Sequence, residues 1–270
     1  MHDGTIEMPD PELAGDYVLT PGVVRVWFAD LTRLSGHKAA MRALLSADEL
    51  ERADRFLMER LTDRFILRRG LLRLLLGRCT GRDPAGLVFD YGTHGKPSLP
   101  AGPAFNLSDS EDSLAIAVAA EGRIGVDIER LRPIESADGI ADRFFHATER
   151  AALHGLGPER RDEGFLLAWT RKEAFIKAAG VGLSMPLDQF AVEVRPDAPP
   201  ALLEIDGRLR GDVGVPADWS LFDRRVLPGT IAAIAAHGTG WTVETRVMDV
   251  ASLSPRSRAN EVCADATGGP

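Results

Sequence analysis

Apolar positions along this chain follow two periods, and the order in which those periods alternate occurs twice. From Val23 the run VVRVWFAD alternates and is rich in β-branched residues, which predicts a strand. Ser46 and Glu49 have capping-box spacing and open a helix that runs to about Leu57. Residues 62–79 (TDRFILRRGLLRLLLGRC) recur apolar at helical period with Arg on the opposing face. Strand candidates LVFDYG, AFNLS and SLAIAVAA follow, separated by Gly and Pro turns. The second half repeats the order. RIGVDIE (123–129) reads as a strand, HATERAALHGL as an acidic helix opening, and GFLLAWTRKEAFIKAAG (164–180) as an amphipathic helix stopped by Gly180. FAVEV, LLEI, WSLFDRRV, TIAAIAAH and WTVETRVMDV are strand-like, and TIAAIAAH resembles SLAIAVAA.

Two stretches with one element order point to an internal duplication. The expected fold class is α+β, built from two similar α/β subdomains related by a pseudo-twofold axis, with the ligand cleft between them. Residues 1–121 form the first subdomain, 122–253 the second, and 254–270 a polar, flexible tail, while the opening twenty residues are expected to be loose.

Composition narrows the function classes. With 40 acidic against 32 basic residues the formal charge is −8, which argues against a general nucleic-acid coat. No apolar run approaches the roughly 18 residues of a membrane span, and the acidic start MHDGTIEMPD lacks the pattern of a secretory signal. Cys79 and Cys263 lie far apart, so neither a disulfide framework nor a cysteine-built zinc site is expected. The chain therefore reads as cytoplasmic, with no nucleic-acid or membrane partner. Its basic residues are 28 Arg and only Lys38, Lys96, Lys172 and Lys177, so a position that keeps Lys is expected to need a compact ammonium. Between Glu51 and Arg82 nine Arg stand against four acids, a local net of +5 suited to a phosphate-bearing ligand.

Candidate chemistry lies in the second half. Asp127 and Glu129 are two apart on a strand and so share a face, with Ile124, Val126 and Ile128 on the other. Two readings compete: a solvated edge strand, or a buried pair that needs a cation, for which oxygen-only ligands favour Mg2+. Glu173 and Lys177 are at i and i+4 on the helix that follows, either as a surface ion pair or as a third carboxylate with an ammonium for a diphosphate.

IGVDIE followed by WTRKEAFIKAAGVGL resembles the paired signature of the 4'-phosphopantetheinyl transferases, and GKP (95–97), FNLS (105–108) and RRGLLR (68–73) extend the likeness over roughly residues 50–190. The length resembles the longer, Sfp-type, pseudo-dimeric branch, which implies a monomer that binds coenzyme A between its halves. The resemblance implies transfer of phosphopantetheine from coenzyme A to a serine of an acyl or peptidyl carrier protein, with release of 3',5'-ADP. It implies Asp127, Glu129 and Glu173 as Mg2+ ligands, Glu173 also as base toward the carrier serine, and Lys177 beside the diphosphate. Lys96, Ser108 and Arg64, with Arg69, match positions that hold the 3'-phosphate and adenosine end; Glu149 matches an auxiliary acid, but its place in the first turn of a helix favours a helix-opening role. Asp109 departs from the pattern, standing where the family usually has a histidine that faces the 3'-phosphate; near the start of the basic helix Glu59 replaces a frequent lysine. Two rival functions use the same residues: a magnesium-dependent nucleoside-diphosphate hydrolase, and a non-catalytic coenzyme A or carrier-binding module.

Overall fold

A strand–helix–hairpin unit forms twice in the computed structural model, which describes residues 17–248. The first half holds β1 (Val23–Asp30), α1 (Lys38–Arg42), α2 (Ala47–Asp54) and α3 (Glu59–Thr80). The short strands β2 (Asp90–Tyr91) and β3 (Pro97–Ser98) follow, then the hairpin of β4 (Ala104–Ser110) and β5 (Ser113–Ala119). The second half holds β6 (Ile124–Arg130), α4 (Ala137–Phe144), α5 (Ala147–His154), α6 (Pro158–Ala179), β7 (Phe190–Val192), β8 (Leu202–Ile205) and α7 (Arg210–Val213). It closes with the hairpin of β9 (Trp219–Arg224) and β10 (Thr230–His237), followed by β11 (Thr242–Val247).

The two sheets share one topology. In the first, β5 lies between β1 and β4; in the second, β10 lies between β6 and β9, and all four of these pairings are antiparallel. SLAIAVA and TIAAIAAH, the two similar segments, thus lie at equivalent places in the two sheets. Both long helices have 22 residues and end at a glycine in the left-handed region, Gly81 (φ 68°) and Gly180 (φ 74°), where a side chain would be strained.

Alternation within the strands builds a helix–sheet–sheet–helix stack. Val24, Val26 and Phe28 of β1 meet Ile124, Val126 and Ile128 of β6, with Ala and Ile side chains of β5 and β10, in a core between the sheets. Trp27, Ala29, Leu114 and Ile116 point the other way, under α3, and Ile231, Ala233 and Ala235 point toward α6. On β6 that outer face carries Gly125, Asp127 and Glu129 in place of apolar residues, so the helix rests on a glycine and two acids.

Several expectations shift. The helix expected over 164–180 starts at Pro158, whose fixed φ suits the first helical position. Of LVFDYG only Asp90–Tyr91 pairs, because its one partner is the two-residue β3. Helices α1 and α4, of five and eight residues, are too short to carry a periodic signal. The 121/122 boundary falls in the turn between β5 and β6, yet β11 crosses back to pair in parallel with β1, so the first sheet takes a strand from the second segment. Residues 254–270, Cys263 and the first sixteen residues lie outside the described residues.

Gly125 is where β6 and α6 approach most closely: a Cβ there would overlap the backbone of Ala174, Lys177 and Ala178. Gly125→Ala is expected to lower stability by about 1–3 kcal/mol through overpacking against backbone that cannot rotate away, read as a lower urea midpoint at unchanged m-value.

Candidate active site at the seam between the halves

The edge strand β4 lies beside β6, and side chains replace the backbone ladder that would otherwise join them. Asn106 Oδ1 accepts from Val126 N (2.9 Å). Two residues on, Ser108 Oγ donates to Asp127 Oδ1 (2.8 Å), and two further Ser110 Oγ donates to Glu129 Oε2 (2.7 Å). The strand period puts 106, 108 and 110 on one face, while Phe105 faces the α3 core and Asp109 pairs with Arg68 of α3.

Helix α6 covers the same acids from the other side. Lys177 Nζ donates to Asp127 Oδ1 (2.6 Å) and to Ser108 Oγ (3.0 Å), so the lysine reaches across to β6. Burial raises the Asp127 carboxyl above its ordinary range, against the pull of Lys177 and Ser108. Glu129 is raised for the same reason, with Ser110 opposing and Asp127 adding repulsion. Glu173 is raised by burial and then by the negative charge of Asp127, with Lys177 opposing. Three desolvated carboxylates thus share a single nearby ammonium. Asp127 Oδ2 is buried without a hydrogen-bond partner, an expensive state for a charged oxygen.

Asp127, Glu129 and Glu173 therefore lie near enough for their charges to act on one another, and the solvated-edge reading of Asp127 fails, since that residue is only 5% exposed. Among the described residues no group of three or more His, Cys, Asp or Glu side chains is arranged to hold a metal ion by itself. An open set of oxygens suits Mg2+, which keeps several waters and takes few protein carboxylates. The orphaned Oδ2, the oxygen-only donors and the mutual repulsion fit such an ion.

The residues expected at the phosphate and adenosine end are placed differently from one another. Lys96 donates to Ile124 O (2.9 Å) and Lys177 O (2.6 Å), clamping the turn at 95–97 onto β6 and α6. Among the described residues it has no carboxylate partner; burial, with Arg123 and Lys177 nearby, lowers it to about 8. Arg64 pairs with Asp112 (2.7 Å) and keeps Nη2 unpartnered. Ser108 belongs to the seam, bonded to Asp127 and Lys177. Arg69 is turned away: its guanidinium is buried against Glu49 and Tyr91, because the N3 glutamate of the α2 capping box needs a cation once it leaves water. Asp109 does not face the pocket that its sequence position threatened, since the strand alternation turns it toward Arg68. Near Glu59, Lys38 supplies a cation, 3.7 Å from Glu59 and 2.8 Å from Asp63.

Glu149, an auxiliary acid by resemblance, is instead a buried anchor. Its carboxylate accepts from Lys172 Nζ on both oxygens (2.7 Å each), from Val192 N (2.7 Å) and from His146 N (2.9 Å). Lys172 also donates to Phe190 O (2.6 Å), and burial pulls it down to about 8 against the pull of Glu149. Asn106 and Ser110 escaped the sequence reading, although the polar alternation of Asn106, Ser108 and Ser110 in a half-buried strand was a signal for them.

Residues 123–221 match the 4'-phosphopantetheinyl transferase superfamily, a span that opens on β6 and contains all of α6. The 4'-phosphopantetheinyl transferase HetI of Nostoc sp. is 35% identical over 223 residues, covering 81% of this chain and 89% of that protein. The chain belongs to the 4'-phosphopantetheinyl transferase superfamily. A 4'-phosphopantetheinyl transferase of Bacillus subtilis is 35% identical over 171 residues, 63% of this chain and 75% of its own. The crystal structure of Thermotoga maritima holo-[acyl-carrier-protein] synthase matches 43% of this chain and 62% of its own at 19% identity, with a TM-score of 0.32. Each of the three acids and the lysine of this transferase lies on β6 or α6, inside the matched span.

Raised carboxylates give the transferase a pH signature. A folded-state pKa above the unfolded one means that the native state binds more protons, so stability falls as pH rises from about 4 toward the raised value. Glu173→Gln removes one such charge. In metal-free buffer it is expected to raise the thermal midpoint at pH 8, with a gain that shrinks as the pH is lowered, because protonation then neutralises the glutamate as well. Lys172→Met should do the opposite at every pH, since it leaves Glu149 buried without its cation and costs about 3–5 kcal/mol.

Proposed function

We propose that this chain transfers the 4'-phosphopantetheine group of coenzyme A to a serine of an acyl or peptidyl carrier protein and releases 3',5'-ADP, acting as a monomer. The observation that carries the reading is the buried, unpartnered Asp127 Oδ2 beside Glu129, Glu173 and Lys177 at the seam between the halves. Asp127, Glu129 and Glu173 would hold a Mg2+ ion, which when bound supplies positive charge to the donor's diphosphate.

The residues themselves account for the remaining steps. The carrier serine Oγ attacks the phosphorus that bears the pantetheine arm. A new P–O bond forms there, the bond to the oxygen shared with the adenosine-side phosphate breaks, and that oxygen leaves with 3',5'-ADP. Glu173 takes the serine proton, a role helped by burial, which raises its carboxyl above the ordinary range. Lys177, held by Asp127 and Ser108, meets the charge that develops on the diphosphate. Lys96 and Arg123 add positive charge near Lys177, and Lys96 lacks a carboxylate partner, which supports a phosphate of the donor there. Arg64 retains an unpartnered buried donor for the nucleotide end, whereas Arg69 and Ser108 serve the fold and the seam.

Intact-mass measurement of several carriers after incubation with coenzyme A and Mg2+ is the direct test, with conversion to the phosphopantetheinylated form expected. Asp127→Ala and Glu173→Ala are each expected to reduce that conversion by about 100-fold or more, and full activity in either discards the site. Breakdown of coenzyme A without a carrier points instead to the diphosphate hydrolase, and binding without turnover to the non-catalytic module. Lys96→Ala should raise KM for coenzyme A about tenfold. In the wild type, kcat/KM for coenzyme A should fall as the pH rises through about 8, where Lys96 loses its proton, and Lys96→Ala should lack that limb.

A further inference from the structure

We infer that Ser110 is a positioning residue for Glu129, and that through it β4 sets the divalent-cation affinity of a site whose ligands all lie in the other half. The inference rests on the Mg2+ reading above. Ser110 closes the first half's contact with the acidic strand: its Oγ donates to Glu129 Oε2 (2.7 Å) and accepts from Arg130 N (3.3 Å). One hydroxyl thereby fixes both the side chain of Glu129 and the backbone of the next residue.

The neighbouring rung shows why such a contact matters. Asp127 has Oδ1 engaged by Ser108 and Lys177, which leaves Oδ2 as the buried, unpartnered oxygen. Glu129 has no lysine bonded to it. Its carboxylate lies at the end of β6, beside Arg132 and Asp127, with Ser110 as the hydrogen bond that opposes the effect of burial. A glutamate has one more rotatable bond than an aspartate, so without that hydroxyl the Asp127 charge would push the carboxylate away from the cation position. Hydrogen bonds of this kind to metal-binding carboxylates typically contribute about 10–100-fold in metal affinity.

The other edge of the acidic strand already pairs with β10, Ile231 opposite Glu129, so the hydroxyl is not needed to hold the strand in its sheet. Loss of the Ser110 hydroxyl should therefore act on the cation far more than on the fold.

The test compares the full chain with Ser110→Ala and Ser110→Thr, using Mn2+ as the probe. Free Mn2+ is read by electron paramagnetic resonance during titration of each protein, alongside the thermal midpoint and the Mg2+ half-saturation of carrier modification. Ser110→Ala is expected to weaken Mn2+ binding and to raise the Mg2+ half-saturation, each about tenfold, with the metal-free thermal midpoint unchanged and KM for coenzyme A at saturating Mg2+ unchanged. Ser110→Thr keeps a hydroxyl and should restore both affinities. Wild-type Mn2+ affinity in Ser110→Ala overturns the assignment while leaving the Mg2+ reading intact. A fall in metal-free midpoint that accompanies the lost affinity also overturns it, by showing a structural role. A wild-type chain that binds no Mn2+ and modifies carriers in chelator sinks both readings.

Discussion

The fold is organised around one electrostatic demand: carboxylates on β6 taken out of water between a helix and a neighbouring strand, with too little positive charge to balance them. Asp127 at 5% exposure would be prohibitive alone, and what keeps it ionisable is the contact of one oxygen with both Lys177 and Ser108. Each partner comes from a different element, so the site can exist only once α6 is seated on β6 and the first half is docked against the second. Gly125 permits the first contact, and the polar face of β4 makes the second.

Duplication explains which parts of this arrangement are scaffold and which are site. Arg73 and Lys172 occupy the same position, fifteenth, in their 22-residue helices, and each meets the buried N3 glutamate of a capping box, Glu49 or Glu149. A cation–glutamate anchor present in both halves fastens the short helix to the long one. The acids are not duplicated. By hairpin register Trp27 and Ala29 stand where the second half has Asp127 and Glu129, and by helix position Leu74 and Arg78 stand where it has Glu173 and Lys177. The free edge of β1, which would correspond to the open edge of β6, is taken by β11.

Much of this was legible in the sequence for stated physical reasons. The alternation of IGVDIE separates the inter-sheet apolar face from the acidic one, and helical spacing aligns Glu173 with Lys177; both are local periodicities that a single sequence carries. The failures are contacts between segments distant in sequence. Arg69 matches a phosphate-end position by resemblance, but the glutamate that claims it, Glu49, lies on another element. Glu149 stands at a helix opening, as its sequence position indicates, but the three groups that bury its carboxylate come from its own cap, α6 and β7. Asp109 departs from the family pattern, yet strand alternation, applied from Ser108 and Ser110, places it on the far face, where Arg68 meets it. That alternation was available from the sequence and needed only to be extended two residues.

A backbone ladder between β4 and β6 would have fused the halves into one sheet. Side-chain rungs from Asn106, Ser108 and Ser110 hold the strands in register while leaving the carboxylates of β6 turned toward α6, where a donor molecule and Lys177 can meet them. Three such rungs add only a few kcal/mol between them, at about 0.5–3 kcal/mol per hydrogen bond. The apolar contact between the two sheets, with Phe28, Val126, Ile128 and Ile234 fully buried, carries the adhesion instead. Adhesion and recognition are thereby assigned to opposite faces of one strand, so that the acids of β6 can stay strained and under-neutralised without loosening the core behind them.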